Sequence, residues 1–455
     1  MSAERRTRKR EGDPWWILSP GGVAGVTIAS MLLLLAVYLP GGEEAVGEAP
    51  AFGTSAVRVA LSPEESSIDV DHLAWTDARL ARNDSDELAL SMALDARLRR
   101  FRATGNAAEL TEAEALLARL GGTQAAPAAA TALALAVHDF PGAVAASRTA
   151  VFAADPGDPD AVLGRFDALW ASGRYQDAAE MLPELGDRPA SAGWLARKAR
   201  LEDGRGDVHA ARDLMDRAVD LVDAYAESGV VRAWARVEAG HFAAHSGDPR
   251  DAVDSYVEAL EIVPGYPAAL EGLAWIAYGV DEDLDLARTL FERALAAGAH
   301  QDVRLTLAEV LRARGLEDEA AREERAFLEA ATASDRDRRM HLRPLALHLA
   351  ERLDRLEEAL AHAERDLELR ADRMAWAVRG LILARMGRAD EALDDAQRAL
   401  AWGSPEPSVL EVVGRIHLAT GRSDMGRRLL REALEGSSEL GPVVVSEIER
   451  LLESG

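Results

Sequence analysis

Residues 233–266 read AWARVEAGHFAAHSGDPRDAVDSYVEALEIVPGY, and the placing of small residues in that stretch decides the fold. Apolar residues recur at three- and four-residue steps on both sides of Gly247, Asp248 and Pro249, which predicts two amphipathic helices joined by a tight turn. Ala252 opens the second helix, and its counterparts along the chain are Ala143, Ala178, Ala211, Ala287, Ala320, Ala359, Ala392 and Gly426. In chain order these nine positions are separated by 35, 33, 41, 35, 33, 39, 33 and 34 residues. A period of about 34 residues marks stacked helical hairpins, each of which buries a core only against its neighbours.

Within the units the small positions keep register. The stretch above supplies Gly240, Gly247, Ala252, Tyr256, Ala259 and Pro264 at positions 8, 15, 20, 24, 27 and 32. The unit starting at Arg373 supplies Trp376, Gly380, Gly387, Ala392 and Ala399, and the last full unit Gly414, Gly421, Gly426 and Ala433. Tyr175 with Ala178, and Phe291 with Ala294, extend the pattern. Ala or Gly at positions 8, 20 and 27 lets paired backbones approach, and Gly at 15 supplies the turn. On these residues the chain resembles the tetratricopeptide repeat (TPR) family. The resemblance implies an all-α, right-handed superhelical solenoid of stacked hairpins. Three positions depart from it: Phe166 and Trp275 stand at the small position 8, and Asp366 at position 27. Two stretched spacings cover DLVDAYAESGV and EAATASDRDRRM, whose extra length would go into longer helices or loops.

Around the array the composition changes. Residues 1–14 are a basic tail with Arg5, Arg6, Arg8, Lys9 and Arg10. Residues 15–39, WWILSPGGVAGVTIASMLLLLAVYL, carry no charged side chain, and about 20 such residues suffice to cross a bilayer as a helix. The run is longer than a signal-peptide core, so the reading is one uncleaved transmembrane helix. No Lys or Arg follows it until Arg58, which places the N-terminus in the cytoplasm and the remainder periplasmic or extracellular, at a bacterial inner membrane. Residues 40–63 read as a flexible linker. Residues 64–123 read as a helical capping region with a divergent repeat, its second helix capped by Asp84 or Ser85. The TPR array of about nine units spans 124–436, and 437–455 form a C-terminal capping helix.

A net charge of −26 over 455 residues argues against nucleic acid as a ligand. The absence of Cys removes disulfides, thiolate zinc sites and thiol catalysis. No phosphate-cradling loop, dinucleotide fingerprint or nucleophile elbow appears, so no catalytic residue, cofactor or metal ligand is assigned.

In the TPR family the concave groove is lined mainly by the first helix of each unit. Carried over to this chain, those positions are Asp167, Trp170, Arg200, Trp234, His241 and His245, then Glu309, Arg312, His341, His348 and Arg352, and finally Arg385, Glu411 and Arg415. Such a groove suits a protein or peptide partner carrying both signs of charge. The Lys/Asn carboxylate clamp of the family is absent, because the only Asn residues are Asn83 and Asn106, outside the groove positions. HFAAH, with His241 and His245 four apart on one helix face, offers two metal ligands but lacks the Glu of a zinc-protease motif. The leading reading is a non-enzymatic membrane-anchored scaffold for protein–protein interaction, or for assembly of a membrane or periplasmic complex. The alternative is a metal-handling or cofactor-maturation accessory that uses the His-bearing groove.

Overall fold

The computed structural model describes residues 70–154, 158–182, 191–225, 227–404, 406–435 and 440–453. The basic tail, the apolar span 15–39 and the linker 40–63 lie outside them. Every regular element among the described residues is a helix, and none is long and apolar enough to cross a membrane.

Helix Val70–Leu80 leads into a hairpin of Glu87–Thr104 and Ala107–Leu120. Asp86, rather than Asp84 or Ser85, caps the second of these three helices: its carboxylate accepts from the Ala89 N–H at 3.0 Å. Arg79 fixes that carboxylate from the preceding helix at 2.6 Å, which explains the choice. Nine further hairpins follow among the described residues, from Ala126–Ala136 with Phe140–Ala153 to Pro407–Ala419 with Ser423–Glu435.

One turn geometry recurs in all nine. The residue at position 15 always has positive φ: Gly173, Gly206, Gly247, Gly315, Gly387 and Gly421 lie between 75° and 91°. Where glycine is missing the backbone still adopts the left-handed region, with His138 at 55°, Glu282 at 52° and Asp354 at 52°. The following N–H then reaches back into the first helix, as in Asp248 N–H to the Ala243 carbonyl or Arg388 N–H to the Leu383 carbonyl, both 2.9 Å. This closes orphan carbonyls at the helix end. Asp207 and Asp248 at position 16 also cap the second helix, accepting from the N–H groups of Ala210 at 3.0 Å and Asp251 at 3.2 Å.

Small residues permit the packing that the period implied. The Tyr256 ring lies between Gly240 of its own unit and Gly272 of the next, and a Cβ on either would sit 2.5 Å from a ring carbon. Phe166, at a nominally small position, is wholly buried, so its unit accommodates a large side chain there. The stretched spacing of 41 is absorbed by two long helices, Val208–Ala224 and Gly229–His245. The spacing of 39 is absorbed by the long helix Glu317–Thr332 and by an added single turn, Asp335–Met340.

The array then returns on itself. The Ala371 N–H donates to the Ser172 carbonyl at 3.1 Å and the Ser404 N–H to the Gly204 carbonyl at 3.0 Å. These partners are roughly 200 residues apart, about six repeat lengths. Gly105 and Gly298 cross backbone to backbone, and a side chain on either would collide with the other. Helix Gly441–Glu453 buries Ile448 against the last hairpin and brings Gly441 to Trp275 and Tyr278 of a unit far upstream. It covers the end of the array and the edge of the groove together.

Left-handed backbone costs a non-glycine residue about 1 kcal/mol. Glu282 is exposed and carries this strain, so Glu282→Gly is expected to raise stability by about that amount in chemical denaturation. Gly247→Ala should lower it by about 1 kcal/mol, and no change in either variant would contradict the turn assignment.

Candidate functional site

Closure of the superhelix leaves an internal cavity of about 290 Å³. Its wall is drawn from units that lie far apart in sequence, from His138 to Val409. At that volume it sits at the lower end of ordinary ligand pockets, which run from about 300 to 1,000 Å³. The space takes a side chain, a chain terminus or a small molecule, and not a whole helix.

Four of the groove positions read from sequence meet at this cavity: Trp170, Arg200, His241 and His245. Trp170 belongs to an aromatic latch on the seam. Tyr175 stacks on Trp402 with centroids 4.8 Å apart, Trp170 meets Trp402 edge-on at 5.6 Å, and the Arg373 guanidinium lies 5.0 Å from the Trp402 ring. Arg373 also donates to the Gly204 carbonyl at 3.0 Å and to Glu406 at 2.9 Å. Burial pushes the Tyr175 hydroxyl pKa strongly upward, with the Asp372 and Glu406 charges adding to it. Arg200 pairs with Glu238 at 3.3 Å, and His245 Nδ1 lies 3.1 Å from Asp203. His241 instead packs edge-on to Tyr256 at 5.6 Å, and burial lowers its pKa to about 4 with Arg200 assisting. The two histidines of HFAAH thus face different partners, and the structure does not join them as a ligand pair.

Asp167 and Trp234 do not line the cavity. Asp167 is buried and paired with Arg197 of the next unit at 2.5 Å, so it presents no carboxylate to the groove. Trp234 packs into the apolar cluster of Leu195, Ala199 and Met215, filling the space between hairpins. His341 is also buried rather than presented on the wall.

The remaining groove positions form a separate charged strip toward the C-terminus, in which His348 and Glu411 are buried beneath their neighbours. Arg312 and Arg352 converge on Glu324 at 2.6 and 3.4 Å, with His348 at 4.0 Å. Arg385 pairs with Asp354 at 2.9 Å, and Arg415 bridges Glu351 at 2.5 Å and Glu411 at 3.1 Å. Glu309 lies beside this strip, where burial raises its carboxyl to about 7, with Arg312 opposing and Glu351 reinforcing.

Several cavity residues were invisible to the groove register. Arg343 grips both Asp372 oxygens at 2.7 Å and Asp366 at 3.1 Å, while Arg370 holds the other Asp366 oxygen at 2.9 Å. Asp366 stands where the repeat expects Ala, and this buried network is the reason. Burial would push Asp372 up, but Arg343 and Arg370 hold it below the usual carboxylate range. At Glu271 burial lifts the carboxyl to about 8, and the Asp302 charge adds to it. His138, His300 and Asp302 occupy turns between helices, where family groove positions give no signal. The legible trace was that His138 replaces Gly at position 15.

The sequence matches no family model and no curated protein. Solved structures align with the solenoid at low identity. A tetratricopeptide repeat protein from Parabacteroides merdae is 17% identical, covering 58% of this chain and 98% of its own, with a TM-score of 0.32. A human IFIT1 dimer with PPP-AAAA is 14% identical, covering 83% and 93%, with a TM-score of 0.44. Yeast Tom70 is 15% identical, covering 85% and 96%, with a TM-score of 0.30. At these scores the neighbours add nothing to what the hairpins themselves show. The class is a helical-repeat solenoid of tetratricopeptide type, defined by its nine position-15 turns and its small-residue register.

Two tests bear on this geometry. Arg373→Ala removes a cation from the latch together with its hydrogen bond across the seam to Gly204, so it should lower Tm and enlarge the radius of gyration in small-angle scattering. An unchanged scattering profile would deny the latch its role. For Glu309 the folded pKa is raised above its ordinary 4.5, so ionising it costs stability as pH rises from 4.5 through about 7. Glu309→Gln should therefore raise Tm at pH 8.5 and leave it nearly unchanged at pH 4.5.

Proposed function

We propose that this chain is a non-enzymatic protein-interaction scaffold, tethered at a bacterial inner membrane by residues 15–39 with its solenoid on the far side. The observation that carries the binding role is the closed solenoid with its internal cavity, whose charged walls are already largely ion-paired. A partner would insert a short segment there and lay adjoining residues along the strip from Glu309 to Arg415. The charge-free span and its basic flank support the tether and its direction. The alternative of a metal-handling accessory gains one observation, the approach of His300, Asp302 and His341.

Leu347 lines the cavity, and Leu347→Trp would fill much of it. In crosslinking within native membranes, partners of the full chain should be depleted about tenfold in this variant, as expected for loss of an anchoring pocket. Equal capture by both proteins would remove the cavity from the binding surface. A reporter active only outside the cytoplasm, fused after Gly455, should be active; activity from a cytoplasmic reporter alone would overturn the topology.

A further inference from the structure

Three side chains that no helical pattern brings together meet beside the seam between superhelical turns. His300 and Asp302 stand in the connection between helices Leu284–Ala296 and Val303–Ala313, and His341 lies at the start of helix Leu342–Glu351. Each offers one ligand atom, and these atoms all lie within 4.8 Å of one another. His300 Nδ1 and Asp302 Oδ1 are 3.5 Å apart. Two donors of a tetrahedral zinc site, each about 2.0–2.1 Å from the metal, stand roughly 3.3 Å apart, so this pair is already at ligand spacing. The His300 and His341 rings are 5.2 Å apart at 69°, so a small rotation about a side-chain bond brings the second imidazole to the same point.

The surroundings point the same way. Nδ1 of His341 is buried without a hydrogen-bond partner, Nδ1 of His300 faces the Asp302 carboxylate at 3.5 Å, and the His138 ring lies parallel to that of His300 at 6.0 Å. A buried polar atom without a partner costs about 1–3 kcal/mol, and a ligand at His341 Nδ1 would remove that cost. His138 itself sits at φ 55°, where six of nine units use glycine, so its side chain is kept against backbone strain. Arg370 is committed to Asp366 at 2.9 Å and Asp372 at 3.7 Å.

We propose that His300, Asp302 and His341 bind one divalent cation of the zinc class, which ties two neighbouring repeat units together beside the seam. Two imidazoles and one carboxylate suit Zn²⁺ or Fe²⁺ and are a poor set for Ca²⁺ or Mg²⁺. Because His300 and Asp302 also line the cavity, a fourth coordination position is reached from inside it. His138 supports the set from behind His300 as a positioning residue. This inference goes beyond the scaffold reading and stands apart from it, since metal binding is measured without any partner.

The test uses the full chain in detergent, stripped with chelator and titrated with Co²⁺. Uptake of one Co²⁺ per chain with visible d–d bands of a four- or five-coordinate ion, displaced by Zn²⁺ with a rise in Tm, is the expected result. His300→Gln and Asp302→Asn should each weaken Co²⁺ binding by more than about tenfold and abolish the Tm rise. Asp302 is half-buried, so its conservative variant keeps the test open if a histidine variant misfolds. Paired His241→Gln and His245→Gln should leave binding intact. Absence of Co²⁺ uptake by the folded chain would overturn the proposal. So would binding unchanged in both ligand variants, or binding lost only in the His241/His245 variant.

Discussion

Main chain meets main chain where the solenoid returns on itself, and the functional geometry follows from that contact. Gly105 against Gly298, Ala371 on Ser172 and Ser404 on Gly204 are backbone approaches, and side chains at the two glycines would hold the turns apart. With the turns closed, the concave face narrows to a partly open cavity with walls from units about six repeats apart. A TPR-type array with a looser pitch would present an open groove, and Tyr175, Trp402 and Arg373 would not meet. The seam therefore decides which side chains form a site.

Closure brings charges into the interior, and the chain meets this by pairing them in place. Arg343, Asp366, Arg370 and Asp372 form one buried network, and Asp167 with Arg197 another. Exchanging a buried pair for apolar residues is often neutral, whereas removing one partner costs about 3–5 kcal/mol. Such networks are poor evidence of extra stability but strong determinants of register. Asp366 in place of Ala commits its unit to one arrangement against the seam, and the adjoining Asp372 serves as both ion partner and helix cap.

The repeat was legible because position 15 and the small positions answer to local backbone geometry. Nine turns fell where Gly or its substitutes stood, even at His138, Glu282 and Asp354, where the residue type alone gave no turn signal. The groove was legible only in part. Trp170, Arg200, His241 and His245 line the cavity as the family register implies, since first-helix positions point inward whatever the pitch. Asp167 and Trp234 do not, because a neighbouring unit supplies Arg197 to one and an apolar cluster to the other. His300 and Asp302 were out of reach, since they lie between helices and gain meaning only when His341 arrives from another unit. Pitch is set by the sum of small rotations between units, and no single unit encodes it.

The energy scale of the seam makes it responsive to whatever occupies the cavity. A net hydrogen bond contributes about 0.5–1.5 kcal/mol, so the three to the Ser172 and Gly204 carbonyls together amount to only a few kcal/mol. A ligand that binds the closed turn alone, at a hundred times its dissociation constant, stabilises that state by about 2.7 kcal/mol. The apolar contact of Leu135 and Phe140 with Leu342 and Leu369 adds several kcal/mol to the seam, so such a ligand supplies a part of what holds it. An occupant that touches both turns, such as a partner's side chain in the cavity, would shift the balance between open and closed solenoid. By the same linkage, anything that tightens the seam raises the affinity for that occupant. Arg373 and the histidine cluster thus hold different points on the same seam.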